Sequence, residues 1–416
     1  MKEFIGYKEA LELTLAHVVA GETEMLPLDS LVGRILAGDV VGRVDCPSIG
    51  TSRKDGYAVV AADLSRADAQ NPVRLNVLDS LSAGDRRELA INSGQTVRVT
   101  TGAPLPAGAD AVLSEEFCRR KSDAIEAFNT AETGRNIHQR GKDIRQGDII
   151  AAKGVKLNPA LIGLIAAAGL DAADVIKYPK VAVIATGDEV VAPGRSLRRG
   201  QLYASNMVEI GAWLSGLSLP YLTELVADQK EDIKNAIEKH LPGVDVFLTS
   251  GGAWGSERDL ILDVVADFNW QGIYHRVRMG PGKPVGFGLL NDKPFFCLPG
   301  GPPSNEMAFM QLALPALLKM IGEPPVAFPM TSANLAQTVY GKKDWTDFVH
   351  ARLEKRQGQL FVHPARLKSA LLSMAQKEAL IIIPEDREEI AAGELIDIQL
   401  LSSNFFPYLP LKGASL

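Results

Sequence analysis

Apolar residues recur along the chain with two periods, and the switches between them outline its organisation. Leu11, Leu15, Val18 and Val19 share one helical face and predict a helix over 7–19. Between 73 and 128 the pattern is one of short alternating runs, such as 96–100 and 111–114, separated by Gly, Pro and Asp; this is β texture. A helix over 158–168 has both ends marked. Asn158 is placed to cap it, Pro159 occupies its first position and Gly169 stops it.

From Val181 the rhythm becomes strand alternating with helix. The runs 181–185 and 244–249 are continuously apolar, as strands covered on both faces are. A strand is predicted over 221–226, with helices over 206–214, 230–240, 259–268 and 303–320, and short strands over 285–287 and 295–298. The expectation is a doubly wound α/β unit. Prolines at 324, 325 and 329 read as a linker, and the chain from 330 to 405 returns to short strands, predicting a small β-barrel or sandwich.

Composition narrows the class. The chain has 416 residues, of which 46% are hydrophobic and 23% charged, so it has the apolar content of a packed globule. At about 100–200 residues per domain it holds roughly two to four domains. Its formal charge of −6 argues against a general nucleic-acid binder, and no nucleic-acid partner is expected. The apolar stretch 161–170 is half the ~20 residues that a membrane span needs. Cys46, Cys118 and Cys297 form no Cys-x-x-Cys pair, and the six histidines lack metal-ligand spacing. The opening residues contain no apolar signal segment, so a soluble cytoplasmic protein without a membrane partner is expected.

Candidate chemistry follows from the strand ends. In an open parallel sheet, ligands bind beyond the carboxyl ends of the strands. Three Gly-rich turns are predicted there: Thr186-Gly187-Asp188-Glu189, Thr249-Ser250-Gly251-Gly252 with Glu257 and Asp259 beyond it, and Leu298-Pro299-Gly300-Gly301. A further loop, Gly280-Pro281-Gly282-Lys283-Pro284, presents one ammonium. Small residues admit a phosphate, and Glu189 with Asp259 are suited to share a divalent cation. Any one such turn is more often only a tight turn, and Asp188 or Ser205 alone reads as a helix cap. Three turns at one sheet edge favour an anionic ligand. Trp254, in the second turn, is a candidate to stack on a ring, whereas Trp213 reads as core.

In these motifs the chain resembles the molybdopterin molybdenumtransferases, the family of bacterial MoeA and the gephyrin E domain. Asp55-Gly56-Tyr57-Ala58-Val59, Thr101-Gly102-Ala103-Pro104, Gly134-Arg135-Asn136-Ile137 with Gly141-Lys142-Asp143-Ile144, Thr186–Glu189, Ser250-Gly251-Gly252, Pro281-Gly282-Lys283-Pro284 and Leu298-Pro299-Gly300 follow the family's order. The resemblance implies a multi-domain α+β and α/β fold. Domain I is expected at 1–47 and 142–176, an inserted β domain II at 48–141, a central doubly wound α/β molybdopterin-binding domain III at 177–324, and a small β-barrel domain IV at 325–416. It further implies insertion of molybdate into adenylylated molybdopterin, with Mg²⁺-dependent release of AMP, by a homodimer. Its other expected partners are a molybdopterin adenylyltransferase or a recipient apo-molybdoenzyme.

By the same resemblance Glu189 and Asp259 bind Mg²⁺, and Asp228 lines the cleft. Asp55, Thr101 with Gly102, and Asp143 come from the partner subunit. Thr186, Gly187, Asp188, Ser250, Gly251, Gly252, Lys283, Pro299, Gly300 and Ser373 contact substrate. The chain departs from the pattern where an oxyanion would bind. Gly280 stands for a Lys, His350 for the Arg of F-x-R, His138 for an Arg, Lys142 for a Glu, and Arg53 and Lys54 replace uncharged residues. Three other readings stand beside insertion of molybdate: a tungstate-inserting variant, a non-catalytic pterin-binding or protein scaffold, and a nucleotide-pyrophosphate hydrolase.

Overall fold

The computed structural model describes residues 1–251, 260–326, 328–365 and 369–401. They form two compact units: one of Met1–Glu22 with the chain from Ile176 on, and one of Thr23–Val175.

The first unit is built on a sheet whose four leading strands are parallel, in the order Tyr221–Val226, Val181–Thr186, Val246–Ser250 and Lys293–Leu298. Every residue of Val181–Thr186 and Val246–Ser250 is buried, which explains their unbroken apolar sequences. Helices cover both faces. Ser205–Gly216, Tyr7–Ala16 and the helical run from Pro302 to Met320 share one core, with Phe309, Leu314 and Leu317 inside it. Lys230–His240 and Leu260–Val265 close the other face over Phe247 and Phe295. The long run contains a π-helical segment at Phe309–Ala313.

The doubly wound expectation holds for these four strands, and the sheet then changes direction. Gly286–Leu290 runs antiparallel to Lys293–Leu298, and Trp270–Gly280 antiparallel to Gly286–Leu290. The strand Lys2–Gly6 pairs in parallel with Trp270–Gly280. The segment 1–47, expected to be one piece of domain I, therefore divides near Glu22, because its first strand and helix are claimed by the α/β core. Helix Tyr7–Ala16 also ends before the predicted residue 19.

The C-terminal strands close on themselves. Thr346–Arg356 pairs with Gln359–Pro364, then come Met330–Leu335, Leu395–Leu400 and Ala379–Ile383, which pairs back with Thr346–Arg356. The expected small barrel is thus a closed five-stranded ring around Val362, Ile381 and Ile398.

In the unit Thr23–Val175, six strands form one sheet in the order Ala111–Ser114, Gly56–Val59, Gln95–Val99, Val73–Leu81, Ala124–Ala127 and Cys118–Lys121. Thr51–Ser52 pairs with Ile137–His138 where the chain enters and leaves this β-rich part. The helix Pro159–Ala167 begins as its sequence dictates, with the Asn158 side chain accepting from the Leu161 N–H at 2.9 Å. Among the described residues no helix is long and apolar enough to cross a membrane.

Candidate functional site: a cleft at the carboxyl ends of the parallel strands

The carboxyl ends of Val181–Thr186, Val246–Ser250 and Lys293–Leu298 open into a cleft of about 670 Å³. Thr186, Gly187, Glu189, Asp228, Ser250, Gly251 and Gly300 line it, so the three Gly-rich turns read from the sequence do converge. Asn206 and Leu371 also contribute to its wall.

The turns are locked to one another by amides. Asn206 Nδ2 donates to Ser250 Oγ at 3.2 Å and to the Gly300 carbonyl at 2.8 Å. Asn305 Nδ2 donates to Ser250 Oγ at 3.0 Å and to the Pro299 carbonyl at 2.7 Å. Both asparagines are buried, where such bonds rigidify most. The second turn comes so close to the first that it requires glycine. Gly251 has φ +101°, and a Cβ there would lie 2.4 Å from the Thr186 carbonyl oxygen.

The charge at this edge is negative. Asp188, Glu189 and Asp228 gather beside the cleft, the Asp228 N–H donating to Asp188 Oδ1 at 3.1 Å. Burial, and then the charges of Asp188 and Glu189, hold the Asp228 carboxyl above the usual range. Among the described residues its Oδ1 has no hydrogen-bond partner, nor has the buried Thr186 Oγ1. The described lining residues include no Lys, Arg or His. Uncompensated carboxylate oxygens are what a hard divalent cation binds, so the chemistry of this edge fits Mg²⁺. No group of three His, Cys, Asp or Glu side chains among the described residues is arranged to hold a metal by itself. Gly252, Trp254, Glu257 and Asp259 lie outside the described residues.

The remaining sequence-predicted residues fall elsewhere. Lys283 is not among the described lining residues; its ammonium lies over the rings of Phe4 and Trp345, 5.4 and 5.9 Å from their centroids. Ser373 is buried on the helix Ala370–Gln376, its Oγ donating to the Ser369 carbonyl at 3.2 Å. Asp55, Thr101, Gly102 and Asp143 belong to the unit Thr23–Val175. There Asp55 Oδ1 accepts from the Thr101 N–H at 2.7 Å and from its hydroxyl at 3.0 Å, contacts that hold its carboxyl below the usual range. Gly102 has φ +82° and donates its N–H to the Ser52 carbonyl at 2.8 Å. The exposed Asp143 carboxylate stands 3.1 Å from His138 Nε2. Sequence reasoning missed Asn206 and Asn305. A polar amide in the first turn of an otherwise apolar helix was the available signal.

Comparison with known proteins decides the family. Residues 5–169 match the model of the MoeA N-terminal region (domain I and II), 182–319 that of a probable molybdopterin binding domain, and 332–401 that of the MoeA C-terminal region (domain IV). The chain is 31% identical to molybdopterin molybdenumtransferase 2 of Mycobacterium tuberculosis, over 90% of this chain and 94% of that one. The chain belongs to the MoeA family of molybdopterin molybdenumtransferases. A second relative in this family, the molybdopterin molybdenumtransferase of Bacillus subtilis, is 29% identical over 95% of this chain and 94% of its own. A crystal structure of a molybdopterin biosynthesis MoeA protein from Pyrococcus horikoshii superposes with a TM-score of 0.84 at 31% identity, covering 95% of this chain and 99% of that one. The fold resemblance read from the motifs is thereby established along the chain.

Proposed function

We propose that this MoeA-type molybdenumtransferase acts in molybdenum cofactor biosynthesis by inserting molybdate into adenylylated molybdopterin and releasing AMP. The observation that carries the reading is the cleft itself. Three glycine-bearing turns, braced by Asn206 and Asn305, leave backbone surface that a phosphate can approach, beside acidic groups with no cation of their own among the described residues.

The residues divide the work. Gly187, Gly251 and Gly300 give the pyrophosphate close access, while Ser250, held by two amides, keeps the turns in register. Glu189, with Asp259, would hold Mg²⁺, which when bound neutralises phosphoryl charge as the adenylate is cleaved. Asp228 and Asp188 shape the electrostatics of that edge, and Asn206 keeps two of the turns from moving apart. The resemblance assigns Asp55, Thr101 and Asp143 to the cleft of a second copy, so the reading requires a homodimer. Lys283 and Ser373 are assigned to substrate on the same ground.

The test is release of AMP from adenylylated molybdopterin with Mg²⁺ and molybdate, run beside tungstate and beside no oxyanion. AMP release that depends on Mg²⁺ and falls at least a hundredfold in Glu189→Ala is expected. Absence of AMP release with either oxyanion would sink the reading.

A further inference from the structure

The cleft has no described Lys, Arg or His on its wall, yet the elements that line it carry an ion pair of their own. Three lining segments each lead into a buried or half-buried ionisable group. Asn206 and Met207 precede Glu209 on the helix Ser205–Gly216. Gly300, Gly301 and Pro302 lead into Glu306 on the helix Pro302–Ala308. Leu371 lies on the helix Ala370–Gln376, which Lys377 follows.

From the barrel strand Thr346–Arg356 His350 reaches the same place, its Nε2 3.3 Å from Glu306 Oε2. Lys377 Nζ donates to Glu306 Oε1, and Glu209 shares a hydrogen bond with Glu306. The side chains of Glu306, Lys377 and His350 are only 2%, 10% and 12% exposed.

A tetrahedral dianion needs donors whose positive charge is uncommitted. The ammonium of Lys377 is committed to Glu306, with the His350 imidazole beside the same carboxylate. Such a pair does not open readily for an arriving anion, because separating it strands a buried charge. We propose that Glu306 sets the affinity of this cleft for a tetrahedral oxyanion by withholding Lys377 from it. Glu306 is thus a specificity-determining residue that acts through Lys377 without touching the reacting atoms. The inference rests on the reading that an oxyanion enters this cleft.

The test measures molybdate retained by the purified full-length chain after ultrafiltration, with no pterin present. Glu306→Gln, checked for an unchanged melting temperature, is expected to retain molybdate at least tenfold more tightly than the wild type. The double variant Glu306→Gln, Lys377→Gln replaces an ion pair with a neutral amide pair and is expected to return retention to the wild-type level. Unchanged or weaker retention in a folded Glu306→Gln overturns the proposal, and so does a gain that survives the second substitution. Where the single variant does not fold, the double variant still decides, because tenfold weaker retention than the wild type would mean that Lys377 serves the anion already. Failure of AMP release would sink the proposed reaction without changing these retention values.

Discussion

Gly280 and Asp347 are partners in register across two strands, and a Cβ at position 280 would lie 2.1 Å from Asp347 Oδ1. The carboxylate is anchored, its other oxygen accepting the Lys342 N–H at 2.8 Å. The glycine that replaces the family's lysine is therefore the complement of an acid that fills the space. Gly280→Ala is expected to cost about 1–3 kcal/mol through overpacking. Asp347→Ala in the same chain should recover much of that loss. A double-mutant cycle by chemical denaturation checks it, and strict additivity would refute the coupling.

Gly251 is constrained twice, by a positive φ and by the Thr186 carbonyl 2.4 Å from any Cβ. Gly251→Ala is expected to destabilise by roughly 2–4 kcal/mol and to displace the second turn from the first. AMP release should fall along with the melting temperature. A variant of wild-type stability and activity would show that the two turns do not need this approach.

Asn158 offers the plainest test of a local rule. Its side chain satisfies the Leu161 N–H at the exposed start of Pro159–Ala167, so Asn158→Ala should cost about 1 kcal/mol, read as a lower melting temperature with activity unchanged.

That helix also shows what the sequence makes legible. Asn158, Pro159 and Gly169 act within one element, and the all-apolar run 181–185 reports burial by neighbours on both faces, so both are readable residue by residue. The three Gly-rich turns were legible for the same reason, each lying directly after its strand. The pairing of Lys2–Gly6 with Trp270–Gly280 was not, because no local pattern names a partner about 270 residues away, beyond the whole unit Thr23–Val175. Glu306 was hidden in another way. It stands in a run otherwise rich in apolar residues, and its meaning comes only from Glu209, His350 and Lys377, which three other segments bring to it. The replacement of an arginine by His350 was visible, but the carboxylate that neutralises the site was not.

The same acid pair gives the chain a pH signature. Burial, and then the hydrogen bond and charge of Glu306, push the Glu209 carboxyl up to about 8, against the opposing pull of Lys377. Burial also opposes charge on Glu306, but His350 and Lys377 outweigh it and hold that carboxyl below its usual range. The pair thus keeps one proton, on Glu209, well above the usual carboxylate range. A carboxyl whose folded pKa is raised contributes stability that is complete below its unfolded pKa and is lost as pH rises through the folded one. For Glu209 the window runs from 4.5 to about 8. The contribution of Glu306 has the opposite sign and is lost only in acid, so the two do not overlap. Melting temperatures from pH 5 to 9 should fall more steeply for the wild type than for Glu209→Gln, with the difference in slope fading only as the pH passes above 8. Curves parallel across the whole range would mean that Glu209 is already ionised when the chain is folded, and that the proton between the two helices is absent.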